Sequence, residues 1–468
     1  MKAFLAIIGQ TMRSAIRAKV FHVLFVLILL AVFMLPMTVS GDGTLSGLVQ
    51  ISLTYSLGIV VALISTTTLW LSCSQLSREI ESYSIHFVLS KPCSRAKVWL
   101  GKWTGIFIMH AVILLVSSGL IYGLIQFRVK FETNRGRFTQ AEVDKLNKEI
   151  RVGRRVFFSE PVDYSERVNA EYKKDFEQYK GQDETSAKDS IRRKLRQKDG
   201  EVVPAGAKTW VFRNVSSKSD VLFLRYRVYS GNTQANSQKN IPMIWGIKVP
   251  GSTAADPYSN QYINIMSGTH QELKLDPRFI DKEDRNTITL RFINPPKGSE
   301  FWNGTEAASS IFQPADGPVI LVAIASFESN YCRAILLALF QIAFLAALGC
   351  TVSAAFSTPV AAFVAVTYLV IGLSVKAAID APIDNGDGTY TYKHFYEKPL
   401  QLFAMGVGKL VVSVDDLDAT SDLASGRLVE GARLLDSLIW LMIFKTGIIS
   451  MVGIWILNKR ELGAVIRK

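Results

Sequence analysis

Six stretches of this chain run for about 20 residues with almost no charge, the length a helix needs to cross a hydrocarbon layer of about 30 Å. They occupy residues 20–39, 51–71, 106–125, 333–356, 359–375 and 438–457. The pattern predicts a polytopic α-helical membrane protein with six transmembrane helices. The first stretch does not read as a signal peptide. Its apolar core is too long, no small-residue cleavage site follows, and a second span comes soon after. Ahead of it, Phe4, Ile7, Ile8, Met12, Ile16 and Val20 recur at three- or four-residue spacing, with Lys2, Arg13 and Arg17 on other faces. Residues 1–19 therefore read as a helix lying in the inner interface, the alternative being the start of a long tilted first span.

A different pattern fills the roughly 200 polar residues from 128 to 328, between the third and fourth spans. Its first part is helical, with Tyr164, Val168, Tyr172, Phe176 and Tyr179 on one stripe that Ile191 and Leu195 continue. Such a stripe packs on a neighbouring sheet more often than it grips a ligand. The basic cluster at 188–198 reads as a solvated helix face, with phospholipid headgroups as the other reading. From Trp210 onward the period becomes two. Leu222, Leu224, Tyr226 and Val228 alternate with Arg225 and Arg227, and the same rhythm returns at Met243, Trp245, Ile247 and Val249 and at Ile288, Leu290 and Phe292. The apolar run 319–327 is too short to span a membrane and reads as a closing strand leading into span four. These strands predict a β-sandwich of jelly-roll type, so the insert is expected to be α+β.

Charge orients the spans. Lys2, Arg13, Arg17 and Lys19 precede span one with no acid to offset them; Arg78, Lys91, Arg95, Lys97 and Lys102 follow span two; Lys459, Arg460, Arg467 and Lys468 follow span six. Excess Lys and Arg in short loops marks the cytoplasmic side. The loop after span one has Asp42 and no basic residue, and residues 376–436 hold six basic against ten acidic residues. Both are expected outside. The chain is thus expected in the inner or plasma membrane, with both termini cytoplasmic. Its predicted parts are residues 20–127 (spans one to three, with a cytoplasmic loop 74–102), an extracytoplasmic domain at 128–328, and residues 329–468 (spans four to six, with an outer loop 376–436 and a cytoplasmic tail). The positive charge of the insert does not oppose this, because large domains translocate largely regardless of charge.

Composition narrows the function. With 49% hydrophobic residues and a mean hydropathy of +0.21, the chain is too apolar for an ordinary soluble protein of this length. The net charge of +13 comes with no basic-aromatic motif, so nucleic acid is not an expected partner. Cys73, Cys93, Cys332 and Cys350 lie in or beside spans and imply no disulfide framework. Gly101-Lys102 and Gly408-Lys409 lack the remaining glycine and hydroxyl residue of a phosphate-binding loop. Leu45-Ser46-Gly47 only faintly echoes an ATPase signature. No HExxH or GxSxG motif occurs, and His22, His86, His110, His270 and His394 show no ligand spacing. Neither catalysis nor a cofactor nor a metal is expected of this chain.

What remains is the connection SQLSREIESYSIHFVLSKPCSRAKVWLGK at 74–102. A helix over 76–89 puts Ile80, Ser84 and Phe87 on one face and leaves Arg78, Glu79 and Glu81 accessible to a soluble partner, with Pro92 as its stop. The order Arg78, Glu79, Glu81, then Leu89, Ser90, Lys91, Pro92, Ser94, Arg95, then Leu100, Gly101, Lys102 resembles the inner loop of ABC-2 type ABC transporter permeases. The run 356–361 (FSTPVA) is similar to that family's inner turn between spans four and five, and Arg460-Glu461-Leu462 to its C-terminal ending. The family's outer loops near span three are usually short, so the insert departs from its pattern.

The resemblance implies a permease subunit, with an exporting tendency, driven by a separately encoded ABC ATPase dimer. The coupling element would be the 77–89 helix, involving Ser77, Arg78, Glu79, Glu81, Ser84, Lys91, Pro92 and Arg95, with Arg460 and Glu461 in the tail. Six spans would be half a pore, which implies a second permease subunit, homo- or heterodimeric. The other function class is a membrane-anchored sensor or assembly scaffold whose outer domain binds an extracytoplasmic protein or ligand.

Ionisable groups inside spans are candidate sites by default. Lys445 lies near the middle of span six, and three readings stand: contact with an anionic cargo, pairing with an acid of the outer loop, or a bond to a neighbouring carbonyl. His110 and Gln341 are the other intramembrane candidates for substrate contact or gating, and both read more readily as packing groups. The segment 400–412 is apolar with two glycines and reads either as a broken helix dipping into the outer leaflet or as a loop folded on the outer domain.

Overall fold

The structure is a computed structural model describing residues 2–34, 43–89, 93–179, 184–216, 221–231, 240–302, 307–313, 317–381, 383–384, 390–392, 394–411 and 419–460. The chain divides into two compact units. One comprises Met1–Gly153, Ala325–Ile379 and Pro399–Lys468; the other comprises Arg154–Ile324 and Asp380–Lys398.

The first unit is helical. In chain order it contains α1 (Lys2–Arg17), α2 (Lys19–Phe33), α3 (Leu45–Glu81), α4 (Ile85–Leu89), α5 (Arg95–Asn134) and α6 (Gln140–Glu149). Among the described residues five of its helices are long and apolar enough to cross a membrane, and the α1–α2 pair, bent by 69°, makes a sixth if it counts as one span. With 40 residues, α5 is the longest. At 1.5 Å per residue it measures about 60 Å, well beyond the hydrocarbon thickness. Its uncharged stretch lies between Lys102 and Arg128.

The face that α1 buries is narrower than its apolar stripe. Ile7, Thr11 and Ala15 are buried, whereas Ile16 is exposed. The reason lies in α5, where Gly101 and Gly105 open a groove; a methyl group at Gly105 would come within 2.9 Å of Thr11. Small-residue contacts of this kind hold helices together where lipid removes the hydrophobic driving force.

The second unit begins with β1 (Val152–Phe158), followed by α7 (Ser165–Lys174) and α8 (Glu184–Gly200). Among the described residues seven more strands of six residues or longer follow: β2 (Ala207–Phe212), β3 (Leu222–Arg227), β4 (Asn240–Lys248), β5 (Tyr258–Met266), β6 (His270–Leu275), β7 (Ile288–Ile293) and β8 (Val319–Ser326). They form two four-stranded sheets, ordered β1-β8-β3-β6 and β2-β7-β4-β5. This is the strand order of a jelly roll. Alternation builds the core: Leu222, Leu224 and Tyr226 of one sheet and Met243, Trp245 and Ile247 of the other belong to a single buried cluster. Trp245 lies at its centre, with Tyr226, Phe292 and Trp210 at ring distances of 5.0, 5.4 and 5.7 Å.

Two expectations change here. The aromatic stripe of α7 packs on α8 rather than on a sheet: Tyr164, Val168, Tyr172 and Tyr179 cluster with Ala187, Ile191 and Leu195. The stripe on α8 repeats every four residues and so matches it. The insert also does not start at 128. Val129, Phe138, Leu146 and Ile150 are buried in the helical cluster, which keeps α6 in the first unit and moves the division to Gly153.

The chain then returns to the helical unit through α9 (Phe327–Ala355), α10 (Thr358–Asp380), α11 (Glu397–Leu410), α12 (Thr420–Ala424) and α13 (Gly431–Lys459). Of these α9 is the hub: 78% of its apolar window is buried, against 19% for α10 and 17% for α13. Gly349 of α9 meets Ser72 of α3 so closely that a methyl group would overlap the hydroxyl.

Candidate functional site

The 74–102 connection begins as an uninterrupted continuation of α3, not as a separate helix over 77–89. The helix ends at Glu81, Tyr83 adopts a left-handed φ of 61°, and five residues resume as α4. Serine explains the break. Ser82 and Ser84 share a hydrogen bond of 2.9 Å between their hydroxyls, offering the chain an alternative to helical bonding. The face expected to hold Ile80, Ser84 and Phe87 together is therefore lost: Ile85 is buried instead, and Phe87 is 79% exposed. His86 stacks with Tyr83 at 6.2 Å. Lys91, Pro92 and Glu461 lie outside the described residues.

Several residues expected to face a partner instead join helices of this chain. Ser77 is buried; its hydroxyl bonds to Cys73 O and to the Thr358 hydroxyl, each at 2.8 Å, and its N–H donates to Ser353 Oγ. Glu79 pairs with Lys102, a lysine 2% exposed, at 2.6 Å. Glu81 accepts the Thr358 N–H at 3.0 Å, placing a carboxylate at the N-terminus of α10, where the helix dipole favours it. Arg95 donates to the carbonyls of Leu457, Asn458 and Arg460 at the end of α13, and Arg460 donates to Ala354 O at the end of α9. Each guanidinium meets carbonyls that a helix end leaves unsatisfied. Arg78 is exposed, as are Glu81, Ser82, Tyr83, His86 and Phe87. The projecting knob is therefore more aromatic than acidic.

A second feature lies among α3, α9, α10 and α12. It is an apolar groove of about 530 Å³, lined along its length by Gly58, Ser65, Thr66 and Cys73 and faced by Gln341 and Thr420. No charged residue lines it. The Ser65 hydroxyl is buried without a protein hydrogen bond among the described residues. His110 is fully buried on α5, with its Nδ1 2.9 Å from Ile106 O and its Nε2 without a protein hydrogen bond among the described residues. Lys445 closes a π-helical segment of α13 (Ser437–Lys445) and donates to Val411 O at 2.9 Å. Because α11 runs to Leu410, this bond ties span six to the segment preceding it.

A hub helix, stapled helix ends and a projecting turn define the class: a polytopic helical membrane protein with a β-sandwich insert. Residues 5–134, a little over a quarter of the chain, match the family model described as ABC-2 family transporter protein. This region contains α1 to α3, the knob and α5. The match supports the membrane component of an ABC transporter. No curated protein and no solved structure matches the chain.

Proposed function

We propose that this chain is the membrane-spanning permease subunit of an ABC exporter, and that its knob at 82–88 is the cytoplasmic surface on which a separately encoded ATPase docks. The observation carrying this reading is that the family match encloses the connection between α3 and α5, where Tyr83, His86 and Phe87 are exposed beside Arg78, Glu81 and Ser82. Exposed aromatic anchors are the residues that pockets on partner proteins use most. The staples give the push a route. Force on the turn at 82–84 reaches α5 through Glu79–Lys102 and α10 through Glu81, so the knob moves as part of the bundle.

A dimer fits the same reading, since α10 presents Phe363, Val366 and Val370 on an exposed apolar face. The uncharged groove favours a cargo with an apolar, uncharged body, for which Gln341 and Ser65 supply the polar contacts.

Co-purification with the ATPases encoded in the same cells tests the docking. Arg78→Glu combined with Phe87→Asp is expected to reduce recovery of the ATPase at least about tenfold, as loss of an interface anchor does, while the permease still elutes as a single folded species. Undiminished recovery would remove the knob from the interface.

A further inference from the structure

A sheet edge is a row of backbone donors and acceptors that another chain can pair with, and proteins blunt such edges with charge or cover. The two four-stranded sheets of the second unit end in β1, β6, β2 and β5. The first three are blunted. β1 carries Arg154 and Arg155, and β6 carries His270, Glu272 and Lys274. β2 carries Lys208, and its Val211 O accepts the Glu160 N–H at 2.8 Å. β5 differs: its nine residues, YSNQYINIM, include no charged residue and no proline. Among the described residues it pairs only with β4.

The ladder to β4 fixes which groups of β5 face outward. Val249 N–H donates to Pro257 O at 2.8 Å, and the register continues with Ile247 opposite Ser259, Trp245 opposite Gln261 and Met243 opposite Ile263. Bonded pairs alternate along an antiparallel ladder, so these residues of β5 bond to β4, and Asn260, Tyr262 and Asn264 turn their N–H and C=O to the open side. Pro242, which has no N–H, stands opposite Asn264, in a pair that exchanges no bond. The side chains of Asn260, Tyr262 and Asn264 share the exposed face, while Ile263 and Ile265 turn to the core.

This outward row is symmetric about its middle. Tyr262 is the central residue of the strand, with an asparagine two positions away on either side. A second β5 running antiparallel about a two-fold axis at Tyr262 sets Tyr262 against Tyr262 and Asn260 against Asn264, which uses the N–H and C=O of all three residues. Asparagine both donates and accepts, so each Asn260–Asn264 pair is complementary, and no like charges meet along the strand. Asp256, at the entrance to the strand, is held by Arg291 at 2.8 Å and also bonds the Asn260 side chain. Phe301 braces Tyr262, with the two rings 4.7 Å apart.

We propose that β5 joins two copies of this chain edge to edge, with Tyr262 on the two-fold axis. A strand edge recognises polypeptide backbone, and the self-complementary row of Asn260, Tyr262 and Asn264 selects a second copy. Such an isologous contact closes at two copies. It belongs to the second unit and stands apart from any pairing of the helical units.

The test uses the full chain in detergent, with Cys73, Cys93, Cys332 and Cys350 replaced by alanine, single cysteines introduced and a short bismaleimide as crosslinker. Tyr262→Cys is expected to crosslink to its copy at least about tenfold more than Gln261→Cys, whose side chain lies on the opposite face of the strand. Adding Asn260→Lys and Asn264→Lys sets like charges opposite each other across the axis and should cut the crosslink about tenfold. Asn260→Lys with Asn264→Glu sets opposite charges there and should restore it. Within one chain these two positions lie about 13 Å apart, so restoration reads contact between copies. With the native cysteines kept, the Tyr262 amide should exchange about tenfold faster in the like-charge variant than in the opposite-charge one, a readout that stands if the cysteine-free chain fails to fold. Equal crosslinking at 261 and 262, opposite charges that restore nothing, or equal exchange in the two variants overturns the proposal. So does a crosslink from position 262 in cells to a different protein and none to a second copy, which would make the edge a site for a foreign strand.

Discussion

The ion pair between Glu79 and Lys102 decides how the knob relates to the bundle. Two charges removed from water need each other: breaking a buried pair by deleting one partner costs roughly 3–5 kcal/mol, whereas replacing both with apolar groups is often neutral. Glu79→Leu or Lys102→Met alone is therefore expected to lower the thermal midpoint in detergent clearly, and the double substitution to recover most of the loss. Single variants that melt like the parent would show that the pair does not hold α3 to α5. Both residues are visible in the sequence as part of one motif, but their pairing is not. They lie 23 residues apart, and only the turn at Ser82–Ser84 brings the two helices side by side. Glu79 thus reads as a surface acid until the packing is known. Phe87 has the opposite history, an apolar residue expected on a shared face that the break in the helix turns outward.

Among elements, the spans were legible because about 20 uncharged residues leave little choice of structure, while their ends were not. The ends depend on charged groups from elsewhere in the chain, as at α13, where Arg95 reaches three carbonyls from the start of α5. Arg95→Ala is expected to speed amide exchange over residues 455–460 while leaving the middle of α13 protected. Equal protection in the variant would mean that the cap contributes nothing to that helix end. The sandwich was read from strands buried on an alternating face. β5 and β6 escaped because they lie at the sheet edges, where half-solvated sequences such as HQELKL carry little apolar rhythm. The α7 stripe is legible but its partner α8 is not, since periodicity reports that a face is buried and not what covers it.

For the molecule as a whole, two units answer to different physics. The helical unit is held by small-residue contacts, capped helix ends and the Glu79–Lys102 ion pair, and the second by a conventional aromatic core between two sheets. Residues 5–134 match an ABC-2 transporter family model, and the knob is where our account applies the work of a partner ATPase. A photo-crosslinking amino acid placed at position 87 in the source cells, with the adducts identified by mass spectrometry, tests this most directly. The account predicts an adduct with an ABC ATPase. Adducts confined to proteins of the outer compartment would contradict it.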